Sequence, residues 1–152
     1  MLENISGIKH KHTYMQTAVN IAQDSHCERL KVGCVVVKLN NIIAHGCNGS
    51  LPGRDNCCEI NNVTKPEVMH AEVCAIAKMT ALGINSSNAS VFVTTLPCPV
   101  CATLLCTSQI KEVYYLNEYR DNSGIEIFKS QRVSLHQMSV DETGKFIVTK
   151  TH

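Results

Sequence analysis

Four residues in two short stretches carry the chemistry of this chain. "VMHAEVCAIAK", residues 68–78, places His70 and Glu72 at the head of an otherwise apolar helical run, and "LPCPVCATLL", residues 96–105, places Cys98 and Cys101 three apart just after an apolar strand-like run. Residues i and i+3 share a helix face, so both sulfurs can reach one point near the helix start. Pro97 and Pro99 suit a first turn, where a missing amide donor costs nothing. The unpaired amides at that end favour negative charge and lower thiol pKa values. A Cys pair at this spacing also occurs in structural zinc sites and redox motifs, so alone it does not separate those uses.

His70 separates them. It too precedes a predicted helix after a loop, and one strand lies between the two helices, so both helix starts can point at one spot. One His and two Cys fill three positions of a tetrahedral zinc and leave the fourth open, the arrangement of a catalytic zinc rather than a structural one. Glu72 lies two residues beyond His70, on the opposite side of an ideal helix. That position suits it poorly as a fourth ligand and well as a group that takes a proton from water and carries it elsewhere. Taken singly, a helix-end Glu complements the helix dipole and a lone His is an ordinary core or surface group. The combination is what requires a zinc.

The elements that must position these residues follow from periodicity. "TYMQTAVNIAQDSH" repeats Tyr14, Met15, Ala18, Ile21 and Ala22 at helical spacing and predicts an amphipathic helix on a sheet. Val32–Val37 and Ile42–Ala44 are short β-branched runs joined by "KLNN", a hairpin break, and predict paired antiparallel strands. From Asn48 to Lys65 the composition turns to Gly, Pro, Asn, Asp, Cys and Ser, which is loop chemistry, and a loop this long is more often functional or metal-pinned than idle. Then come a helix from about His70, a strand "SVFVTT", a helix opened by "PCPVC", a strand "EVYYL", a weaker helix around "SGIEIFKSQ" and a strand "VSLHQM". "DETGKFIVTKTH" adds an edge strand or frays. Strand and helix alternate after the hairpin, so the expected architecture is a single α/β sandwich over residues 1–152 with helices on both faces.

Composition narrows the class. A chain of 152 residues, 44% hydrophobic, buries a core without crosslinks. With 14 Lys+Arg against 13 Asp+Glu, interspersed, no basic stripe offers itself to a nucleic-acid backbone, and the expected ligand is small. Nine cysteines is an odd number, and several stand where core residues belong, such as Cys34 and Cys74. Reduced thiols in the cytoplasm are therefore expected rather than a disulfide framework. "MLENISGIKHKHTY" has no apolar leader core and no window is long enough to span a bilayer, so a soluble, unexported protein is expected.

H-x-E followed by P-C-x-x-C is the pattern of the zinc deaminases. In order and spacing, "KVGCVVVKLNNIIAHGCNGSLPG", "NCCE", "HAEVCAI", "TTLPCPVCATLL" and "IKEVYYLNEYRD" resemble the cytidine deaminase superfamily, and within it the deoxycytidylate (dCMP) deaminases of phage type. The resemblance implies a three-layer αβα sandwich around a mixed five-stranded sheet. It implies hydrolysis of dCMP to dUMP, with His70, Cys98 and Cys101 as zinc ligands and Glu72 as proton shuttle. A homo-oligomer regulated by dCTP and dTTP is implied as well. Asn48 of "GCNG" matches a family asparagine that contacts nucleotide, though an Asn before Gly49 is also an ordinary turn residue. Tyr119 and Arg29 are candidate partners for the phosphate or the base.

Cys27 and Cys57 stand where phage-type relatives carry ligands of a second, structural zinc. The insertion that supplies the other ligands is shorter here, leaving Glu67, His26 or Cys58 to complete the set. Cys47 replaces a family tyrosine and Cys74 a family asparagine, so neither an effector contact nor the usual hydrogen bonding around the zinc follows. Alternative activities are deamination of dCTP or of a tRNA adenosine. The long loop with "NCCE", the lack of a basic surface and "YLNEYRD" argue against the tRNA enzymes. Free cytidine deaminases typically carry Cys at the position of His70. A non-enzymatic zinc scaffold has no use for Glu72.

Overall fold

An apolar run with no polar alternation predicts a strand covered on both faces, and Ser90–Thr95 is one, buried along its whole length. The computed structural model describes residues 7–152, so the first six residues of the stretch read for a leader lie outside the described residues. The elements are α1 (Lys11–Ala22), β1 (Gly33–Lys38), β2 (Asn41–Cys47), β3 (Glu59–Ile60), β4 (Val63–Thr64), α2 (Ala71–Leu82), β5 (Ser90–Thr95), α3 (Pro99–Thr107), β6 (Glu112–Asn117), α4 (Gly124–Ser130), β7 (Ser134–Val140) and β8 (Phe146–Thr151). Among the described residues no helix is long and apolar enough to cross a membrane.

The main sheet runs β2-β1-β5-β6-β7-β8. Strands β5, β6 and β7 are parallel to one another, while β1 pairs antiparallel with β2 and β5, and β8 antiparallel with β7. Sandwich and mixed pairing agree with expectation; the strand number does not, because the sheet has six strands rather than five. The sixth is the C-terminal segment. Its register on β7, Val140 against Phe146 through His136 against Thr151, uses the turn around Gly144 (φ 83°) to fold the chain back on itself.

Alternation along the strands sorts the two cores. Val91, Val93, Val113, Tyr115 and Leu135 face α2, α3 and α4, while Val35, Val37, Phe92, Tyr114 and Met138 face α1. The "KLNN" break is a two-residue turn, with Leu39 (φ 50°) and Asn40 (φ 59°) left-handed as the favoured hairpin turn requires. The segment expected as pure loop, Asn48–Lys65, holds a second hairpin, β3–β4, closed by Asn61 (φ 51°) and Asn62 (φ 63°).

Two close approaches fix the helices that matter. A Cβ on Gly46 of β2 would lie 2.7 Å from the Ala71 carbonyl oxygen, so α2 seats its first turn directly on that strand. A Cβ on Gly33 would lie within bonding distance of the Ala18 carbonyl oxygen, which seats α1 on β1 in the same way.

Candidate active site

Helices α2 and α3 begin beside the same end of the sheet, next to the C-terminal end of β5, where open α/β sheets hold their ligands. His70 is the cap residue of α2, with extended backbone (ψ 156°) and no capping bond from its side chain. Its carbonyl accepts the Cys74 N–H at 3.0 Å, so the backbone starts the helix and the imidazole is free to turn elsewhere. Cys98 caps α3 in the same extended conformation, Pro99 occupies the first helical position, and the Cys101 N–H donates to Cys98 Sγ at 3.5 Å.

The His70 ring nitrogen Nδ1 stands 3.5 Å from Cys98 Sγ and 3.4 Å from Cys101 Sγ. Ligands on a tetrahedral zinc, with Zn–S near 2.3 Å and Zn–N near 2.1 Å, sit about 3.6 Å apart, so the observed spacing fits the metal. The three donor atoms lie within 4.8 Å of one another. Charge is prepared as well. The Cys98 thiol is lowered to about 4, first by the hydrogen bond from Cys101 and then by His70. Cys101, as the donor and largely buried, is pushed up. His70 is raised, chiefly by its bond to Cys98. A dication arriving at this set displaces the protons still held by its donors.

Glu72 is buried, with 4% of its surface exposed, and burial is the leading cause that pushes its carboxyl above the ordinary range. It lines a cavity of about 320 Å³ together with His70 and Cys98. That size suits a small ligand. Tyr119 and Arg29 line the same cavity, Tyr119 half-buried and Arg29 exposed. Asn48 lines it too, but most of its amide is already committed: Oδ1 accepts the Val32 N–H at 2.8 Å and Nδ2 donates to the Leu30 carbonyl at 2.7 Å. Asn48 therefore holds the loop that carries Arg29, with one N–H left to offer a ligand.

The profile of the cytidine and deoxycytidylate deaminase zinc-binding region matches residues 8–117. The chain belongs to this deaminase family. Its fold matches the dCMP deaminase of cyanophage S-TIM5, solved in complex with dCMP and dUMP, at a TM-score of 0.84 and 39% identity, covering 88% of this chain and 100% of that one. ComE operon protein 2 of Bacillus subtilis (strain 168) is 31% identical over 134 residues, 85% of this chain and 71% of that protein. The deoxycytidylate deaminase of Enterobacteria phage T4 is 27% identical over 186 residues, 88% of this chain and 96% of that protein. Family and donor set together make the protein a zinc-dependent deaminase.

Other lining residues escaped the reading of the sequence. Arg120, beside Tyr119 with its guanidinium carbon 5.8 Å from that ring's centre, brings a second cation to the cavity. Thr95 and Glu59 line it as well. Only the adjacency of Arg120 to Tyr119 in "NEYRD" pointed to the first, and nothing in the linear pattern pointed to Glu59.

The second metal position differs from expectation. Cys27 is joined to Cys58 in a disulfide, and Cys57 is exposed, its Sγ donating to the Glu59 carbonyl at 3.0 Å. Of the two cysteines of "NCCE", one faces Cys27. Cys58 does, forming a small buried cluster with Cys27 and Val68. This pair departs from the expectation of reduced thiols rather than a disulfide framework; the other seven cysteines are free. Among the alternatives for completing the set, Cys58 is brought to Cys27, and Glu59 rather than Glu67 or His26 joins them, its carboxylate and the two sulfurs lying within 4.8 Å.

Proposed function

We propose that the protein hydrolyses dCMP to dUMP and ammonia, a step that feeds thymidylate synthesis. The observation that carries this reading is the buried Glu72 carboxyl beside the His70, Cys98 and Cys101 donor set, in a cavity whose lining also includes Arg29 and Arg120. A nucleoside monophosphate needs both a reaction centre and cations for its phosphate. The likeness to the cyanophage protein, whose structure contains dCMP and dUMP, supports the same substrate.

His70, Cys98 and Cys101 would hold the zinc, whose Lewis acidity makes water nucleophilic near neutral pH. The chain's own work falls to Glu72. Its carboxylate accepts the proton of the attacking water and protonates N3 of the cytosine. It then takes the second proton from the hydroxyl now on C4 and hands it to the 4-amino group, so that the C4–N bond breaks, ammonia leaves and the C4–O bond becomes a carbonyl. Burial that raises its pKa makes Glu72 basic enough to hold that proton between transfers. Arg29, Tyr119 and Arg120 bind the phosphate end, and Asn48 steadies the Arg29 loop while offering its last N–H to the sugar.

The same reading takes residues 1–152 as one deaminase domain in a cytoplasmic homo-oligomer, with dCTP and dTTP as effectors. A second, structural zinc belongs to the reduced protein, on Cys27, Cys58 and Glu59 rather than on Cys27 and Cys57. A panel of cytidine, CMP, dCMP, dCTP and a tRNA anticodon stem, read by ammonia release, tests the substrate. The expected order puts dCMP first. Failure on every monophosphate overturns the proposal.

A further inference from the structure

Among the described residues, Thr95 Oγ1 is the buried side-chain polar atom without a hydrogen-bond partner. Its neighbour Thr94 is satisfied, accepting the Gly33 N–H at 3.1 Å on the α1 face of β5. Thr95 points the other way. It continues the row Val91, Val93 that faces α2 and α3, and at the C-terminal end of β5 that row opens into the cavity lined by His70, Glu72 and Cys98. Only 6% of the residue's surface is exposed, so bulk water does not compensate the hydroxyl. Burying an unpaired hydroxyl is unfavourable, and a valine of the same shape, as at two earlier positions of the row, would avoid the cost.

We infer that the Thr95 hydroxyl is reserved for the polar edge of the substrate's pyrimidine ring, and that it sets how tightly the base is held at the reaction centre. The reasoning is positional. Thr95 lies three residues before Cys98 and lines the cavity together with His70, Glu72 and Cys98, the groups placed at the reacting ring. The cationic side chains suited to phosphate, Arg29 and Arg120, are exposed. A buried hydroxyl that finds its partner only in the complex gives discrimination, because a ligand lacking that partner leaves the group unpaired.

This inference rests on the dCMP reading, and its test separates the two. Thr95→Val removes the hydroxyl and keeps the shape. In zinc-loaded protein, kcat/KM for dCMP should fall on the order of 10-fold, while zinc content stays the same and the melting temperature is unchanged or higher. Thr95→Ser should restore most of the lost kcat/KM. Binding of dUMP should weaken by a similar factor in Thr95→Val, whereas binding of deoxyribose 5-phosphate should not change. Wild-type kcat/KM and dUMP affinity in Thr95→Val overturn the inference. So does a lowered melting temperature with intact kinetics, which marks the hydroxyl as structural, or an equal loss for deoxyribose 5-phosphate, which assigns it to the phosphate. Should Thr95→Val fold poorly, Thr95→Ala paired with Thr95→Ser gives the same comparison. A wild-type protein that deaminates no monophosphate sinks the parent reading, and the dUMP measurement still decides the role of Thr95.

Discussion

His70 Nδ1 stands 3.4 Å from Cys101 Sγ although 31 positions separate the two residues in the chain. The sheet makes the contact: α2 and α3 flank β5 on one face and begin at the same end of it. With Cys98 they form a donor set spaced for zinc. Purified protein should therefore carry zinc at this site, and a chelator should abolish activity that added zinc restores. His70→Ala should lower metal affinity by more than the roughly 10–100-fold that losing an outer partner costs, measured by competition with a chromophoric chelator.

Glu72→Gln preserves size and removes the base. Metal content should match wild type, while kcat falls by about 10²–10⁴-fold, the usual contribution of a positioned general acid-base group. Full activity in this variant would refute the assignment of Glu72 as the proton carrier.

Arg29 and Arg120 are expected to act on binding rather than on the chemical step. Replacing either by Ala should raise KM for dCMP by about 10-fold, the scale of one charge-assisted hydrogen bond, with kcat little changed. Deoxycytidine, which lacks the phosphate, should be turned over equally by variant and wild type. An equal loss on the nucleoside would place these arginines elsewhere in the mechanism.

Gly46 is a packing constraint with a functional reach, because a Cβ there meets the Ala71 carbonyl oxygen at 2.7 Å and the Ala75 nitrogen at 2.8 Å. Those atoms belong to the helix that carries Glu72. Gly46→Ala should destabilise the fold by about 1–3 kcal/mol, the cost of overpacking, and lower activity through the displaced helix start. A Cβ on Gly49, by contrast, would meet no atom within 4 Å. Gly49→Ala should therefore stay within about 0.5 kcal/mol in a denaturant titration.

The Cys27–Cys58 link joins the loop carrying Arg29 to the segment carrying β3 and β4. Thiol titration of unfolded, non-reduced protein should count seven thiols, matching the seven free cysteines. Reduction should expose the 50–69 segment to protease, because its buried anchor is the small Cys27, Cys58 and Val68 cluster. Cys58→Ser should reproduce that sensitivity and Cys57→Ser should not. A second zinc taken up after reduction should be lost in Cys58→Ser and kept in Cys57→Ser; the reverse pattern would restore Cys57 as the ligand.

The catalytic constellation was legible in the sequence because it is local. His70 with Glu72, and Cys98 with Cys101, are short-range pairs at predicted helix starts, and helix geometry and metal chemistry fix their use whatever the rest of the chain does. The order of strands and helices followed from hydrophobic periods in the same way, since strand and helix alternate in the chain. Three features needed the folded chain. "DETGKFIVTKTH" is polar enough to read as fraying, and only the β7 edge gives its backbone partners. Cys57 and Cys58 have equal claims in the sequence, and only the folded path of their segment decides which one meets Cys27. Thr94 and Thr95 are likewise indistinguishable in "VTT", yet β5 turns one hydroxyl to a backbone amide and leaves the other without a partner on a residue that lines the cavity. Residue types and short spacings determine what chemistry is available. Which face a side chain takes, and what it meets there, is set by long-range pairing that no short window of sequence contains.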